Sequence, residues 1–349
     1  MSMQAFTTDE LEVRKTIPAR RGKVMEFFKT PISSRENILR MYEGKTPMWL
    51  PFTDEMQNLK PDCDPENVAR GSKTGGVDGW GVEWVWEGMG AMVRPGAPKV
   101  PDITRWEDYV TPPDPDTWDW AGCRERLEKT LDPDRALWFT TGSCLFERLI
   151  AVMDFMPAAM ALIDEEQQEG VHRFFRAITD LRKKYYTQVK RWFAPDVANF
   201  NDDWGSQRAE FFSVETAEEM LVPYVKEMGE TVHALGMRFD LHCCGFVENF
   251  VPLFIEEGFD SWGGQPLNDK AKLKRMYGDK MVFTHGMFLP ETASDAELEE
   301  AVAAFMADIG ADNRLFYSDA VADPRVRRAM YVASRKNFDR LVAEGKAVL

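Results

Sequence analysis

RFDLHCCGFVENFVPLFIEEGFDSWGG, residues 238–264, is the stretch that decides the fold. It opens on the alternating run RFDLHC (238–243), passes through a helical pattern, and closes on a second strand-like run, FDSWGG (259–264). The same unit recurs on both sides. Upstream stand ALWFTT (136–141), a helix-rich stretch that includes 171–193, and VANFND (197–202) with a helix after it. Downstream stand MVFTHG (281–286), another helix, and RLFYSD (314–319). Repeated β–α alternation predicts a parallel sheet with its helices outside. The apolar TPMWLPF (46–52) reads as a first buried strand, and the alternation of Val82, Trp84 and Trp86 with Glu83, Val85 and Glu87 offers one more. Counting alone allows a closed barrel or an open doubly wound sheet.

The helix before RFDLHC carries the pattern in detail. Thr216 and Glu219 read as a capping box, Met220, Tyr224, Met228, Val232 and Leu235 line one face, and Gly236 is placed to end it. Pro223 falls inside this helix and predicts a kink. Residues 1–45 are polar and charged, with a helix expected over SRENILRMY (34–42). Residues 70–120 are Gly-rich, then Pro-rich, with several tryptophans; they read as an elaboration of the domain, because tryptophans need something to pack against.

Lys and Arg number 43 against 58 Asp and Glu, a net charge of −15 that repels phosphate backbones and argues against nucleic acid as a partner. No apolar run approaches the roughly 20 residues needed to cross a bilayer, and residues 1–23 lack the apolar core of a signal peptide. The cysteines, Cys63, Cys123, Cys144, Cys243 and Cys244, are odd in number and form no C-x-x-C, as expected of reduced thiols. A cytoplasmic location is expected. The oligomeric state stays open, with a homodimer among the options.

The unusual polar residues of the second half fall at the carboxyl ends of the expected strands, the face on which β/α barrels build their sites. In His242-Cys243-Cys244-Gly245 an extended backbone turns His242 and Cys244 to one side and Cys243 to the other. Imidazole and thiolate are zinc ligands, though a buried thiol beside a core histidine is an equal alternative. Asp202 and Asp203 can act as acid or base, position a hydroxyl or ligate a metal; helix capping is the other option, and one of each is the reading adopted. His285 can protonate a leaving oxygen or bond a neighbouring carbonyl. Trp84, Trp86, Trp262 and Met287 can line an aromatic-accepting pocket with Gln207 and Gln265, and are otherwise plain core.

Five stretches together resemble the uroporphyrinogen decarboxylase superfamily, in its cobamide-dependent methyltransferase-like branch: TPMWLPF (46–52), GVDGWGVEW (76–84), PDPDTWDW (113–120), VANFNDDWGSQ (197–207) and FDLHCCGFVENFVPLFIEEGFDSWGGQP (239–266). The resemblance runs from about residue 30 to 345. It implies an α/β fold, a single (β/α)8 TIM-type barrel over 46–349, with residues 1–45 an N-terminal extension and the Trp/Pro-rich segment an insertion. Relatives in that branch hold zinc by H-x-C-G plus a later cysteine. His242 and Cys244 match the first two ligands; no cysteine follows Cys244, so the strand end YSDA makes Asp319 the implied third. The decarboxylases themselves carry an arginine-rich N-terminal motif, whereas PMWLPFTDEMQN (47–58) has two acids and no arginine. The function expected is transfer of a methyl group from a small donor, a methoxylated aromatic compound, to the Co(I) of a separate corrinoid protein, with Zn2+ polarising the ether oxygen and Asp203 or His285 delivering the proton. A porphyrinogen-type decarboxylase and a non-enzymatic ligand-binding barrel are the alternatives.

Overall fold

A computed structural model describes residues 5–18, 24–88, 90–96, 98–318 and 323–348. The chain divides into two compact units, one made of Met1–Gln57, Asp132–Leu137 and Ser261–Leu349, the other of Asn58–Leu131 and Trp138–Asp260. Both are α/β, with parallel strands joined through helices.

In the second unit the strands Ala136–Ser143 (from Trp138 onward), Val197–Asn201 and Arg238–His242 lie side by side in parallel. Phe139, Ala198, Phe200, Phe239 and Leu241 are buried on one face. The other face is polar, because the register aligns Thr140 with Asn199 and Asn199 with Asp240, then Asn201 with His242. Asp240 accepts hydrogen bonds from the Trp138 indole and from Asn199, both at 3.0 Å, which knits this face together.

Behind it runs the helix Glu165–Phe193, capped by Asp164 and ended at Ala194 in left-handed conformation before Pro195. The expected helix before RFDLHC is two helices, Val214–Met220 and Val222–Ala234. The cap is Ser213, whose hydroxyl accepts from the Thr216 amide, not the Thr216–Glu219 pair expected. Pro223 has no amide hydrogen to continue the first helix, and it starts the second instead. The alternation at 82–87 is a strand, Glu83–Trp86, but it pairs antiparallel with Gly76–Val77 and Ala91–Val93 in a sheet of its own.

In the first unit Ser261–Trp262, Val282–His285 and Phe316–Tyr317 form parallel pairs. The expected strand 46–52 is buried, with Met48, Trp49 and Leu50 almost fully enclosed, yet among the described residues it forms only an isolated bridge from Phe52 to Tyr317. Pro47 and Pro51 remove amide donors from both ends, so no regular ladder can form. The helix Ser34–Tyr42, found where expected, satisfies this backbone instead. Its Asn37 accepts from the Met48 amide at 2.7 Å and donates to the Trp49 carbonyl at 2.9 Å. The hairpin Val13–Pro18/Val24–Phe28 and the helix Pro324–Ala343 complete the unit, and Glu10 joins them through Arg335 (2.9 Å) and the Tyr331 hydroxyl (2.6 Å).

Replacing Asn37 with Ala strands one buried amide and one buried carbonyl. The expected cost is roughly 2–4 kcal/mol, read as a lower denaturation midpoint with an unchanged denaturant slope.

Candidate metal centre

The second unit gathers its chemistry where its strands end. His242 is the last residue of its strand, and two residues on Cys244 returns to the same side. Their Nε2 and Sγ atoms lie 3.4 Å apart. Cys243 points the other way, buried, with its sulfur accepting from the Trp204 amide at 3.3 Å. Asp203, from the loop after Val197–Asn201, accepts from the Cys244 amide at 2.6 Å and lies 3.9 Å from His242 Nε2. One donor atom from each of Asp203, His242 and Cys244 thus falls within 4.8 Å of the other two.

Two glycines allow this approach. A side chain on Gly245, at φ +89°, would stand 2.0 Å from the Gly205 carbonyl oxygen, and one on Gly205 would stand 2.4 Å from the Phe246 oxygen.

The neighbouring Asp202 has a different place. It is fully buried and accepts from the amides of Phe146 (2.9 Å) and Glu147 (2.8 Å) and from the Trp204 indole (2.7 Å). It therefore caps the start of the helix Leu145–Met153, the helix-capping option of the sequence reading and not the acid–base one. That cap aims Glu147 at the cluster, where its carboxyl accepts from Asn201 at 2.6 Å.

The helix is anchored from below by buried charge. Arg148 contacts Glu66 and Asp78, each at 2.6 Å, and Arg182 lies 3.4 Å from Glu66 and donates to the Ser143 carbonyl. Glu66 also accepts from the Ser143 amide at 2.6 Å, which fixes the end of the Ala136–Ser143 strand. Burial pushes Glu66 up, but Arg148, Arg182 and Arg70 overcome it and hold its carboxyl far below the usual range.

The cluster itself carries the opposite balance. Burial, with Asp203 adding to it, pushes Cys244 up to about 12 and Glu147 up to about 8. Partial desolvation holds His242 below its ordinary value against the pull of Asp203. A thiol, a carboxylate and a neutral imidazole, with a second carboxyl beside them, form a surplus of donors that a divalent cation would neutralise. Nitrogen, sulfur and oxygen donors numbering three leave one position of a tetrahedron open, the composition of a catalytic zinc site. The His242 side chain keeps 49% of its surface, so the position is reachable.

The other expected site residues fall in both units. Asp319 lies outside the described residues. Trp84 is buried, its indole donating to Asp78 at 2.9 Å and its ring stacked under Arg70, so it braces the unit. Trp86 is 36% exposed on the antiparallel sheet, and Gln207 is exposed in the loop after Gly205. Trp262, Gln265, His285 and Met287 belong to the first unit. There Trp262 is fully enclosed against Phe283, His285 stacks on Phe305, and Met287 packs against the core cluster that includes Phe305 and Leu298. Sequence reasoning missed Glu147 and Arg70. Glu147 had a signal: with Arg148 it interrupts the otherwise apolar run CLFERLIAVM (144–153) directly after a strand end.

No protein-family model matches the chain, and no curated protein matches its sequence. Among solved structures, a methyltransferase from Methanosarcina mazei shares the fold at a TM-score of 0.61 and 14% identity, over 88% of this chain and 99% of that one. A D-psicose 3-epimerase (TM-score 0.35, 10% identity, 66% and 84% covered) and a sugar phosphate isomerase/epimerase from Parabacteroides distasonis (0.33, 8%, 64% and 80%) are far more remote.

Zinc added to metal-free protein should bind at one equivalent and release about one proton, the Cys244 thiol losing its hydrogen. Calorimetry in buffers of different ionisation enthalpy measures this, and Asp203→Asn should weaken the binding at least tenfold. In the metal-free protein Glu147, at about 8 against an ordinary 4.5, holds a proton in the folded chain that the unfolded chain has released. Its contribution to stability is full below pH 4.5 and lost as the pH rises to 8. Glu147→Gln should melt with wild type near pH 5 and above it at pH 8.5; parallel pH curves would exclude a buried protonated Glu147.

Proposed function

We propose that the chain is a corrinoid-dependent methyltransferase of the uroporphyrinogen decarboxylase superfamily, built on a β/α barrel. It would take a methyl group from a small methyl donor, a methoxylated aromatic compound, and pass it to the Co(I) of a separate corrinoid protein. The observation that carries this reading is the Asp203–His242–Cys244 donor set with Glu147 beside it. The shared fold with a methanogen methyltransferase supports it.

His242, Cys244 and Asp203 would hold the zinc ion, with Asp203 taking the place that the resemblance gives to Asp319. When bound, zinc supplies Lewis acidity toward the ether oxygen of the donor. Every other part belongs to the chain's own residues. Asp203 fixes the turn after His242 through the Cys244 amide, so that imidazole and thiol keep their spacing. Asn201 orients the Glu147 carboxyl by donating to one of its oxygens. Glu147, whose carboxyl burial and Asp203 push up in the metal-free chain, would be the acid for the leaving group. The methyl carbon passes to Co(I), the electron pair of the breaking C–O bond stays on the aryl oxygen, and that oxygen takes the Glu147 proton. Asp202, buried beneath the helix start, is a positioning residue for Glu147.

Methyl transfer is followed by the loss of Co(I) absorbance in a reduced corrinoid protein mixed with a panel of methoxylated aromatic acids. Cys244→Ala should lose both zinc and turnover, and Glu147→Gln should keep zinc while lowering kcat by about 10²-fold. A Cys244→Ala protein that retains full activity would refute the metal-assisted route.

A further inference from the structure

The first unit contains a buried cation that the methyl-transfer reading does not use. Lys270 opens the helix Lys270–Tyr277 after the loop that leaves Ser261–Trp262, and only 6% of it is exposed. Its ammonium makes one hydrogen bond, to the Gly264 carbonyl at 2.8 Å, and has no ion pair with a carboxylate among the described residues. The nearby acids have other duties. Asp269 caps the same helix by accepting from the Lys272 amide, and Asp308 is paired with Arg275 at 2.6 Å. A buried ammonium with a single carbonyl partner is costly to keep, since among the described residues two of its donors find no acceptor and no carboxylate offsets its charge. Desolvation alone lowers Lys270 to about 8.

His285 stands beside it. The parallel register pairs Trp262 with Phe283, and Gly263 follows Trp262 close to Thr284, with 3.5 Å between a Cβ built there and the Thr284 hydroxyl. Gly264, which receives the Lys270 ammonium, therefore comes level with His285. The half-buried imidazole stacks on Phe305 at 6.2 Å, and neither ring nitrogen has a hydrogen-bond partner among the described residues. An ammonium and an imidazole close enough for the one charge to act on the other, both short of partners among the described residues, thus meet at two adjacent strand ends.

The geometry points to a binding site for a small carboxylate, held by the Lys270 ammonium and the His285 imidazole at the ends of the strands Ser261–Trp262 and Val282–His285. A carboxylate supplies the missing counter-charge and can accept from both groups. A dianionic phosphate fits less well, because the site offers neither an arginine fork nor a free helix start, and Asp269 at that start repels two negative charges more than one. The proposal does not depend on the methyl-transfer reading, and neither stands or falls with the other.

Calorimetric titration of the full chain with sodium benzoate, benzamide and inorganic phosphate tests it. Benzoate should bind at one site, with benzamide and phosphate at least tenfold weaker. Lys270→Met and His285→Ala should each weaken benzoate at least tenfold, while Lys270→Arg keeps most of the affinity. Without ligand, Lys270→Met should melt at or above the wild-type temperature, because it removes an unpaired buried charge; a lower temperature would mean that the ammonium serves the fold. The proposal is overturned by absent benzoate binding, by unchanged affinity in Lys270→Met, or by phosphate binding more tightly than benzoate.

Discussion

Charge neutralisation around Glu66 is the constraint on which the second unit depends. A carboxylate and two guanidinium groups placed out of water cost several kcal/mol each unless their geometry satisfies them. Here Glu66 and Asp78 meet Arg148 and Arg182, and the same contacts hold secondary structure in place. Glu66 takes the Ser143 amide and so stops a strand. Asp78 takes the amides of Trp80 and Val82 and the Trp84 indole, and so shapes the glycine-rich loop. Arg148 joins the two and lies one residue after Glu147. The position of the candidate acid is therefore inherited from an ionic knot one residue further along its helix.

The two aspartates of Asn201-Asp202-Asp203 divide labour by the same logic. Asp202 is used up by three donors and links the end of one strand to the start of a helix belonging to another. Asp203, one residue later and on the opposite side of the chain, meets imidazole and thiol. Adjacent residues of one type thus take unlike roles because an extended backbone turns them in opposite directions.

What is legible in the sequence follows from this. The β–α alternation is readable because strand and helix patterns depend on local periodicity, and the common facing of His242 and Cys244 is readable because alternation in a strand is local too. The segment 46–52 reads as a strand on hydrophobicity, but two prolines and a side chain thirteen residues before Leu50 decide otherwise, which no local pattern reveals. Glu147 stays hidden because its significance comes from Asn201 and Asp203, more than fifty residues away in the chain. Residue type alone leaves Trp84 open between a pocket wall and plain core, and only the fold shows its indole hydrogen spent on Asp78.

The contact between Gly205 and Gly245 has a mechanical consequence. Backbone presses on backbone there, and the amide after Cys243 is tied to Asp203 on the other loop. The two loops form one stiff piece, so a displacement of either carries carboxylate, imidazole and thiol together. A cation meeting donors fixed in this way would leave them little ordering entropy to lose.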